Sequence, residues 1–206
     1  MIQNILIIGA NGGIGSKLCQ IMTDSKQYIV TGWTSENLDL NYPERIFETD
    51  LSMYDMIINC AGHNQGSWQG NLKNTWQNQL SMITVNYISN IFLLKHYAKS
   101  RTNGRYVWIS TTSMDDPTPY QSIYTGTKVA SKFSIDLIAK EAVHISILNV
   151  KAGLTRTNLR FRNFEGTKTV QEVDATYGDI KVLSSLEVAQ AMFDAIKKNK
   201  TEMLIV

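Results

Sequence analysis

Short apolar runs alternate with longer segments of helical spacing along this chain. The first run, at 2–8, ends at a glycine; a segment with helical apolar spacing follows at 16–22, and a second run occupies 28–33. Apolar strands separated by helices indicate a parallel sheet, because parallel strands need crossovers of about a dozen residues. The pattern predicts an α/β fold in which a doubly wound parallel sheet is flanked by helices. It continues with strands at 55–60, 105–109, 144–150 and 202–206 and helices at 75–99, 124–141 and 186–199.

One connection is shorter than this pattern requires. Only four residues separate Trp33 from the extended segment Leu38-Asp39-Leu40, too few for a helical crossover between neighbouring parallel strands. We therefore predict that one strand and its helix are missing, so that the crossover from the second to the third strand is abbreviated. No repeat or composition break divides the chain, and residues 1–206 are expected to form one domain.

Composition and charge exclude several classes of protein. Hydrophobic residues make up 43% of the chain and can fill a core, and 20 basic against 18 acidic residues give no strong field for nucleic acid or an anionic membrane. No apolar run reaches the ~18 residues of a membrane span, and the N-terminus has no basic region typical of a signal peptide. Cys19 and Cys60 form neither a disulfide framework nor a metal-ligand pattern, which favours a cytoplasmic protein without a metal site.

Glycines cluster between the first strand and the first helix, at Gly9, Gly12, Gly13 and Gly15. Glycine lets the backbone approach a phosphate closely, with the positive end of the helix facing the anion. The spacing does not fit G-x-G-x-x-G, which would need a glycine at Asn11, nor the P-loop. The remaining pattern, G-x-x-x-G-x-G, indicates a nucleotide-binding turn, with an ordinary tight turn as the alternative.

Tyr124 and Lys128 lie four residues apart at the start of a predicted helix and therefore share a face. A phenol with a pKa near 10 is a poor proton donor or acceptor at neutral pH, whereas a nearby ammonium stabilises the phenolate and lowers that pKa. We therefore expect Lys128 to lower the pKa of Tyr124. Such a pair also occurs by chance on exposed helix faces, so its surroundings decide its meaning.

Together with these two motifs, further segments make the chain resemble the short-chain dehydrogenase/reductase family over nearly its whole length. Any one match is weak, but five in the family's order are specific. The matching positions are the glycine turn, Asn59-Cys60-Ala61-Gly62 for the family's N-N-A-G, Asn86 for the helix asparagine that holds a relay water, Thr111 for the catalytic serine thirteen residues before Tyr124, and Ala152-Gly153 with Thr157 for P-G-x-x-x-T.

The resemblance implies hydride transfer between a nicotinamide and a carbonyl or alcohol carbon, in a Rossmann-like, NAD(P)-binding domain. Tyr124 would be the general acid in reduction and the base in oxidation, and Lys128 would also hold the nicotinamide ribose. Thr111 would hydrogen-bond the substrate oxygen, with Ser110 and Ser113 as alternatives for that role. With Asn86, these residues are the expected catalytic set.

The cofactor is expected to be NADP(H), with NAD(H) as the alternative. An acidic residue after the second strand would bind the ribose 2′-OH of NAD, and Trp33-Thr34-Ser35 contains none, although Glu36 lies close by. Residues 34–37 also resemble the segment of NADPH-using 3-oxoacyl-carrier-protein reductases whose hydroxyls receive the 2′-phosphate. The expected cofactor-binding residues are Gly9, Asn11, Gly12, Gly13, Ile14, Gly15, Thr34, Ser35, Asp39, Leu40, Asn59, Ala61, Gly62, Lys128, Gly153, Thr155 and Thr157.

The expected substrate is a small carbonyl compound or alcohol, covered by a lid at about 158–184. Two other functions stay open. The departures at Thr111, Ala152 and Cys60 suggest a cofactor-binding, redox-sensing regulator with little turnover. A dTDP-4-keto-sugar-type reductase shares the short connection, but only 49 residues follow Thr157, too few for a sugar-nucleotide domain. Family members commonly pair through the helices that correspond to 75–99 and 124–141, which implies a homodimer or homotetramer.

Overall fold

The computed structural model describes residues 2–65, 75–117, 121–159, 172, 175 and 180–205. The predicted strands and helices are present, with ends that differ by a few residues. In chain order the elements are β1 (Gln3–Ile8), α1 (Gly13–Asp24), β2 (Tyr28–Trp33), a 3₁₀ turn (Pro43–Glu48), β3 (Met56–Asn59), α2 (Trp76–Ile83), a π-helical segment (Thr84–Ile88), α3 (Ser89–Ser100), β4 (Gly104–Thr111), a second 3₁₀ turn (Thr112–Met114), α4 (Ser122–Glu141), β5 (Ile145–Ala152), β6 (Thr155–Arg156), β7 (Leu183–Ser184), α5 (Ser185–Lys197) and β8 (Glu202–Ile205).

Six strands form one parallel sheet in the order β2-β1-β3-β4-β5-β8, which confirms the predicted doubly wound fold. The chain moves outward from β1 to β2, then returns across β1 to β3 and continues in the other direction. This reversal places the carboxyl ends of β1 and β3 side by side. In open α/β sheets such a point is where ligands bind. The short strands β6 and β7 pair with each other in a separate ladder.

Helices cover both faces of the sheet. The central strand β1 has apolar side chains on both faces, and each set is buried under helices. Leu6 and Ile8 belong to a core that also contains buried residues of the π-helical segment, α3 and α4. Ile5 and Ile7 belong to a second core, on the opposite face, with α1 and α5. A strand buried on both faces reads as a continuous apolar run, as this one does.

The abbreviated crossover is confirmed. Among the described residues β2 lies at the edge of the sheet, and the connection to β3 contains a 3₁₀ turn but no strand. The extended segment at Leu38-Asp39-Leu40 is a turn in which the Asp39 carboxylate accepts a hydrogen bond from the Asn41 N–H at 2.9 Å. The connection is anchored on the core by the buried side chains of Leu38, Leu40, Ile46 and Leu51.

The helix predicted at 75–99 occupies the expected span but is not uniform. Between α2 and α3 the chain winds as a π-helix over Thr84–Ile88, a rare geometry that is frequently found at functional sites. Asn86 lies within this segment and is 2% exposed. No helix in the described part of the chain is both long enough and apolar enough to cross a membrane.

Candidate active site

The glycine turn joins β1 to α1 and requires glycine at two positions. Gly9 has a φ of 79°, and a side chain there would approach the backbone nitrogen of Ala61 to 2.7 Å. A side chain at Gly15 would overlap the carbonyl oxygen of Gly9. The N–H groups of Gly9 and Ala10 donate to the carbonyl of Trp33 at 2.9 and 3.0 Å, which fixes the turn to the end of β2. The close packing of β1, α1 and the end of β3 therefore depends on bare backbone.

A cavity of about 440 Å³, here called the turn cavity, lies against these glycines. It extends from the end of β2 to the end of β3, and the first helical N–H groups of α1, which have no partner within the helix, lie at its wall. The structure brings together here eleven of the predicted cofactor residues, namely Gly9, Asn11, Gly12, Gly13, Ile14, Ser35, Asp39, Leu40, Ala61, Gly62 and Thr157.

A second cavity of about 290 Å³, here called the tyrosine cavity, contains the predicted catalytic tyrosine. Thr111 and Tyr124 line it together with four predicted cofactor residues, Ile14, Gly153, Thr155 and Thr157. The two cavities adjoin, because Ile14, Thr157 and Leu159 line both. A ligand in the turn cavity can therefore reach the side chains at the ends of β4 and β5.

The Tyr124–Lys128 pair has a geometry that differs from the sequence-based expectation. The Lys128 ammonium is buried and donates to the carbonyl of Ile109 at 2.9 Å, while lying 5.9 Å from the centre of the Tyr124 ring. Burial lowers the pKa of Lys128 to about 8. Burial also raises the pKa of Tyr124 to about 12, against the smaller, opposite effect of a hydrogen bond with Thr111. The expectation of a lowered tyrosine pKa is therefore wrong for this arrangement, since desolvation outweighs any stabilisation of the phenolate.

Thr111, the residue predicted to hydrogen-bond the substrate oxygen, lines the tyrosine cavity. Its side chain caps the second 3₁₀ turn, accepting from the Ser113 N–H at 3.3 Å, and donates to the Ser113 hydroxyl at 3.2 Å. Ser110 also lines the tyrosine cavity, but its hydroxyl donates to the Asn149 side chain at 2.6 Å and is 2% exposed. Thr111 and Ser113 are therefore better placed than Ser110 to contact a ligand.

Asn86 holds the loop that follows β3. Its Oδ1 accepts from the His63 N–H at 2.8 Å, and its Nδ2 donates to the His63 carbonyl at 2.7 Å. Nδ2 also lies 3.3 Å from the Thr127 hydroxyl on α4. A side chain at Gly62 would lie 3.6 Å from Asn86 Oδ1 and 3.9 Å from Lys128 Nζ, so Asn86 and Lys128 face the same stretch of backbone. The side chain of Asn86 thus positions the wall of the turn cavity.

Several predicted cofactor residues do not line the two cavities. Asn59 is buried in a network with Asn90 and Tyr106, where its Nδ2 donates to Asn90 Oδ1 at 2.9 Å, and its Oδ1 accepts from the Ala61 N–H at 3.1 Å. The Thr34 hydroxyl accepts from the Glu36 N–H at 3.2 Å within a turn. These two side chains shape the loops that reach the turn cavity, as Gly15 does through its close packing.

The described walls of the cavities carry few charges. Asp39 is the one carboxylate at the turn cavity, and no lysine or arginine lies among its described lining residues. At the tyrosine cavity, Asp116 is the one carboxylate among the described lining residues, and Asn64 and Gln121 add amide groups. Sequence reasoning missed Asp116, Asn64 and Gln121, although the last two lie within three residues of recognised motifs. The predicted lid at 158–184 falls mostly outside the described residues.

Comparisons with known proteins identify the family of this chain. The family model for short chain dehydrogenase matches residues 44–168, and the chain therefore belongs to that family. The chain is 27% identical over 162 residues to dehydrogenase/reductase SDR family member 7B of Mus musculus and of Rattus norvegicus. These matches cover 73% of this chain and 47% of each relative, so the chain spans about half the length of the curated relatives it matches.

Solved structures share the fold across the whole chain. A small-chain dehydrogenase in complex with NADPH is 18% identical, with a TM-score of 0.82 over 100% of this chain and 97% of that one. ElxO with NADP bound is 20% identical, with a TM-score of 0.75 and the same coverage. A short-chain dehydrogenase from Sphingobium yanoikuyae in complex with NADPH is 19% identical, with a TM-score of 0.73 over 98% and 87% of the two chains.

Proposed function

We propose that this protein transfers a hydride between NADP(H) and a small carbonyl compound or secondary alcohol. The observation that carries the proposal is the junction of the two cavities at Ile14, Thr157 and Leu159. One cavity has the glycine backbone that a dinucleotide needs, and the other has Tyr124 and Thr111 on its wall. A volume of about 290 Å³ in the tyrosine cavity suits a small substrate.

The turn cavity fits a dinucleotide because its glycines leave room for a diphosphate beside the N-terminus of α1. The Ser35 hydroxyl and the Asn11 amide are the groups we assign to the ribose and its 2′-phosphate. Ser35 lies where an acid would repel that phosphate, and solved structures of the same fold contain NADPH or NADP. NAD(H) is the alternative, since no cation lines the described wall of this cavity.

In this proposal the cofactor, when bound, supplies or accepts the hydride, and Tyr124 supplies or accepts the proton. The raised pKa of Tyr124 keeps its phenol protonated at neutral pH, so the group is in the form that donates a proton in carbonyl reduction, and not the phenolate that would accept one in alcohol oxidation. Thr111 donates a hydrogen bond to the substrate oxygen as negative charge develops there. Lys128 keeps its ammonium at the carboxyl end of β4, bonded to Ile109, and acts on the same region electrostatically. We therefore propose reduction as the favoured direction.

A second candidate is a cofactor-binding, redox-sensing regulator with little turnover. The observation that favours it is that the Lys128 ammonium bonds the Ile109 carbonyl while burial raises the pKa of Tyr124 to about 12. A phenol with so high a pKa is a weak acid, and the proton transfer it catalyses is slower. A regulator would bind NADPH tightly without consuming it.

The test is NADPH consumption against a panel of diketones, quinones and aldehydes, followed by the absorbance of the reduced nicotinamide. We expect the wild type to turn over at least one class, with a higher kcat/KM for NADPH than for NADH. Tyr124→Phe should lower kcat by about 10²-fold or more while NADPH binding, measured by fluorescence, changes little. Tyr28→Phe is the matched control, because Tyr28 lies at the amino end of β2 and packs on Phe193.

Two outcomes would contradict the proposal. Retained activity in Tyr124→Phe would exclude that residue as the general acid. Tight NADPH binding with no consumption across the panel would favour the regulator. A strict preference for NADH would keep the reaction but correct the cofactor, and would assign Glu36 or Asp39 to the ribose hydroxyls.

We also propose that the protein forms a homodimer or homotetramer through α4. Val129, Phe133 and Leu137 recur every four residues on this helix and are 47%, 68% and 44% exposed. Phe133 lines a shallow apolar groove of about 540 Å³ together with Pro117. A continuous apolar stripe on a helix surface is typical of a protein–protein contact. A cytoplasmic setting stays a prediction from the two free cysteines.

A further inference from the structure

Three hydroxyls on α4 face the segment around the π-helix. Thr127, Ser131 and Ser134 are spaced at i, i+4 and i+7 and therefore lie on one face of the helix. The Thr127 hydroxyl lies 3.3 Å from Asn86 Nδ2, and the Ser131 hydroxyl donates to the main-chain carbonyl of Asn86 at 2.8 Å. The Ser134 hydroxyl lies 3.2 Å from the phenol of Tyr87. This hydroxyl row joins α4 to the π-helical segment.

Ser131 differs from its two neighbours in this row because it bonds the main chain of the π-helical segment. A π turn shifts the backbone hydrogen bonds by one residue, and such turns persist where the surroundings stabilise them. Ser131 is completely buried and Asn86 is 2% exposed, so water cannot replace the bond between them. Ser131 thus sets the position of the Asn86 backbone relative to α4.

The two sides of this bond belong to different cavities. Asn86 holds both polar groups of the His63 backbone, and His63 lines the turn cavity with Gly62 and the π-segment residue Val85. On the other side, α4 carries Tyr124, which lines the tyrosine cavity. The bond from Ser131 therefore connects a wall of the turn cavity to the helix that presents the phenol.

We propose that Ser131 is a positioning residue for the reaction, which acts through Asn86 to fix the spacing between the turn-cavity wall at His63 and the phenol of Tyr124. This inference rests on the proposed function. Hydride and proton transfer require the cofactor and the acid at a defined separation, and a displacement of about 1 Å can cost 10²-fold in rate. Each wall keeps its own contacts when the bond is lost, so the rate of the chemical step falls more than the affinity for either ligand.

The test separates the hydroxyl from the volume of the side chain. Ser131→Thr keeps the hydroxyl, and Ser131→Val gives a side chain with the shape of threonine but no hydroxyl. Any cost of the larger side chain is therefore common to both variants. We expect kcat of Ser131→Val to be about 10-fold lower than that of Ser131→Thr, and kcat of Ser131→Ala to be about 10-fold lower than that of the wild type. In both comparisons KM for NADPH and for the carbonyl substrate should change less than about 2-fold. The Thr/Val comparison decides the inference if Ser131→Ala does not fold.

Ser134→Ala is the control for loss of a buried-face hydroxyl on the same helix. Its bond reaches the Tyr87 side chain, which leaves the Asn86 backbone untouched, and we expect kcat to stay within about 2-fold of the wild type. Equal kcat for Ser131→Val and Ser131→Thr, or an equal loss in Ser134→Ala, would overturn the positioning role. A wild type that turns over no carbonyl compound would overturn the proposed function, and the inference with it.

Discussion

At the scale of a single residue, the buried charge of Lys128 lowers the free energy of unfolding. The residue is 6% exposed, and its ammonium donates a hydrogen bond to the carbonyl of Ile109. Burial lowers its pKa from 10.5 to about 8, so the folded protein binds this proton less tightly than the unfolded chain does. Below pH 8 the folded state therefore bears the cost of a desolvated charge. That cost disappears as the pH rises from 8 to 10.5 and is on the order of 3 kcal/mol at its full value.

Lys128→Met should therefore be more stable than the wild type near neutral pH, by up to about 3 kcal/mol, because it removes the buried charge. The difference should narrow as the pH rises from 8 towards 10.5, because the folded protein has by then released this proton and no longer contains a buried charge. Urea unfolding of both proteins at several pH values between 7 and 10 measures it. Comparing the two proteins at each pH cancels the tyrosines and cysteines that titrate in the same range. A difference that does not change with pH would show that the ammonium is well solvated.

The same residue shows what sequence could not supply. The spacing of Tyr124 and Lys128 correctly predicts that they share a helix face, yet it carries no information on how deeply each side chain is buried. Desolvation decides the direction of both pKa shifts here. Asn59 is a similar case, because the sequence does not show whether an asparagine at the end of a strand contacts a ligand or the protein core. In the structure its side chain bonds Asn90 and lies 3.5 Å from the Tyr106 hydroxyl.

At the scale of elements, two glycines predict opposite responses to the same substitution. Gly15 packs against the carbonyl of Gly9, and Gly15→Ala should separate α1 from β1, with loss of NADPH binding and of folding stability. Gly126 lies in α4 with no heavy atom of the described residues within 4 Å of an added Cβ. Gly126→Ala should raise the free energy of unfolding by about 0.5–1 kcal/mol, because alanine is the better helix former.

Urea unfolding and NADPH titration of the two variants measure the contrast. The glycine turn would lose its assigned role if Gly15→Ala bound NADPH like the wild type. A destabilised Gly126→Ala would mean that the space beside Gly126 is occupied, either by another part of the chain or because the proposed contact between copies on α4 extends to this residue.

Elements were the part of the structure that sequence predicted best. The alternation of apolar runs with helical segments predicted the parallel sheet, and the short gap after Trp33 predicted the abbreviated crossover, because both follow from the reach of the chain. The π-helical segment was not predictable in the same way. The apolar spacing of 75–99 fits a continuous helix, and one contact of the π-helical segment, the bond from Ser131 to the Asn86 carbonyl, comes from 45 residues away in the sequence.

At the scale of the whole molecule, the proposed homodimer or homotetramer depends on the exposed apolar stripe of α4, formed by Val129, Phe133 and Leu137. Phe133→Glu places a charge at the most exposed of its three apolar residues and should convert the oligomer to a monomer, because an unpaired buried charge strongly weakens an apolar contact. Light scattering at micromolar concentration measures the mass. Met53→Glu is the control, since Met53 is also apolar and 58% exposed but lies in the loop before β3. A monomeric wild type would contradict the proposed assembly.

The abbreviated crossover between β2 and β3 has a consequence for how such a protein can be adapted. Ser35, Asp39 and Asn41 line the turn cavity from a connection whose buried leucines dock on the core, and no strand of the described sheet is built from it. Substitutions or short insertions on its cavity side therefore leave the strand pairing of β1 and β3 intact. In the proposed function this segment holds the adenosine half of the cofactor, so the preference between two dinucleotides can be engineered, or drift in evolution, separately from the proposed chemistry at Tyr124.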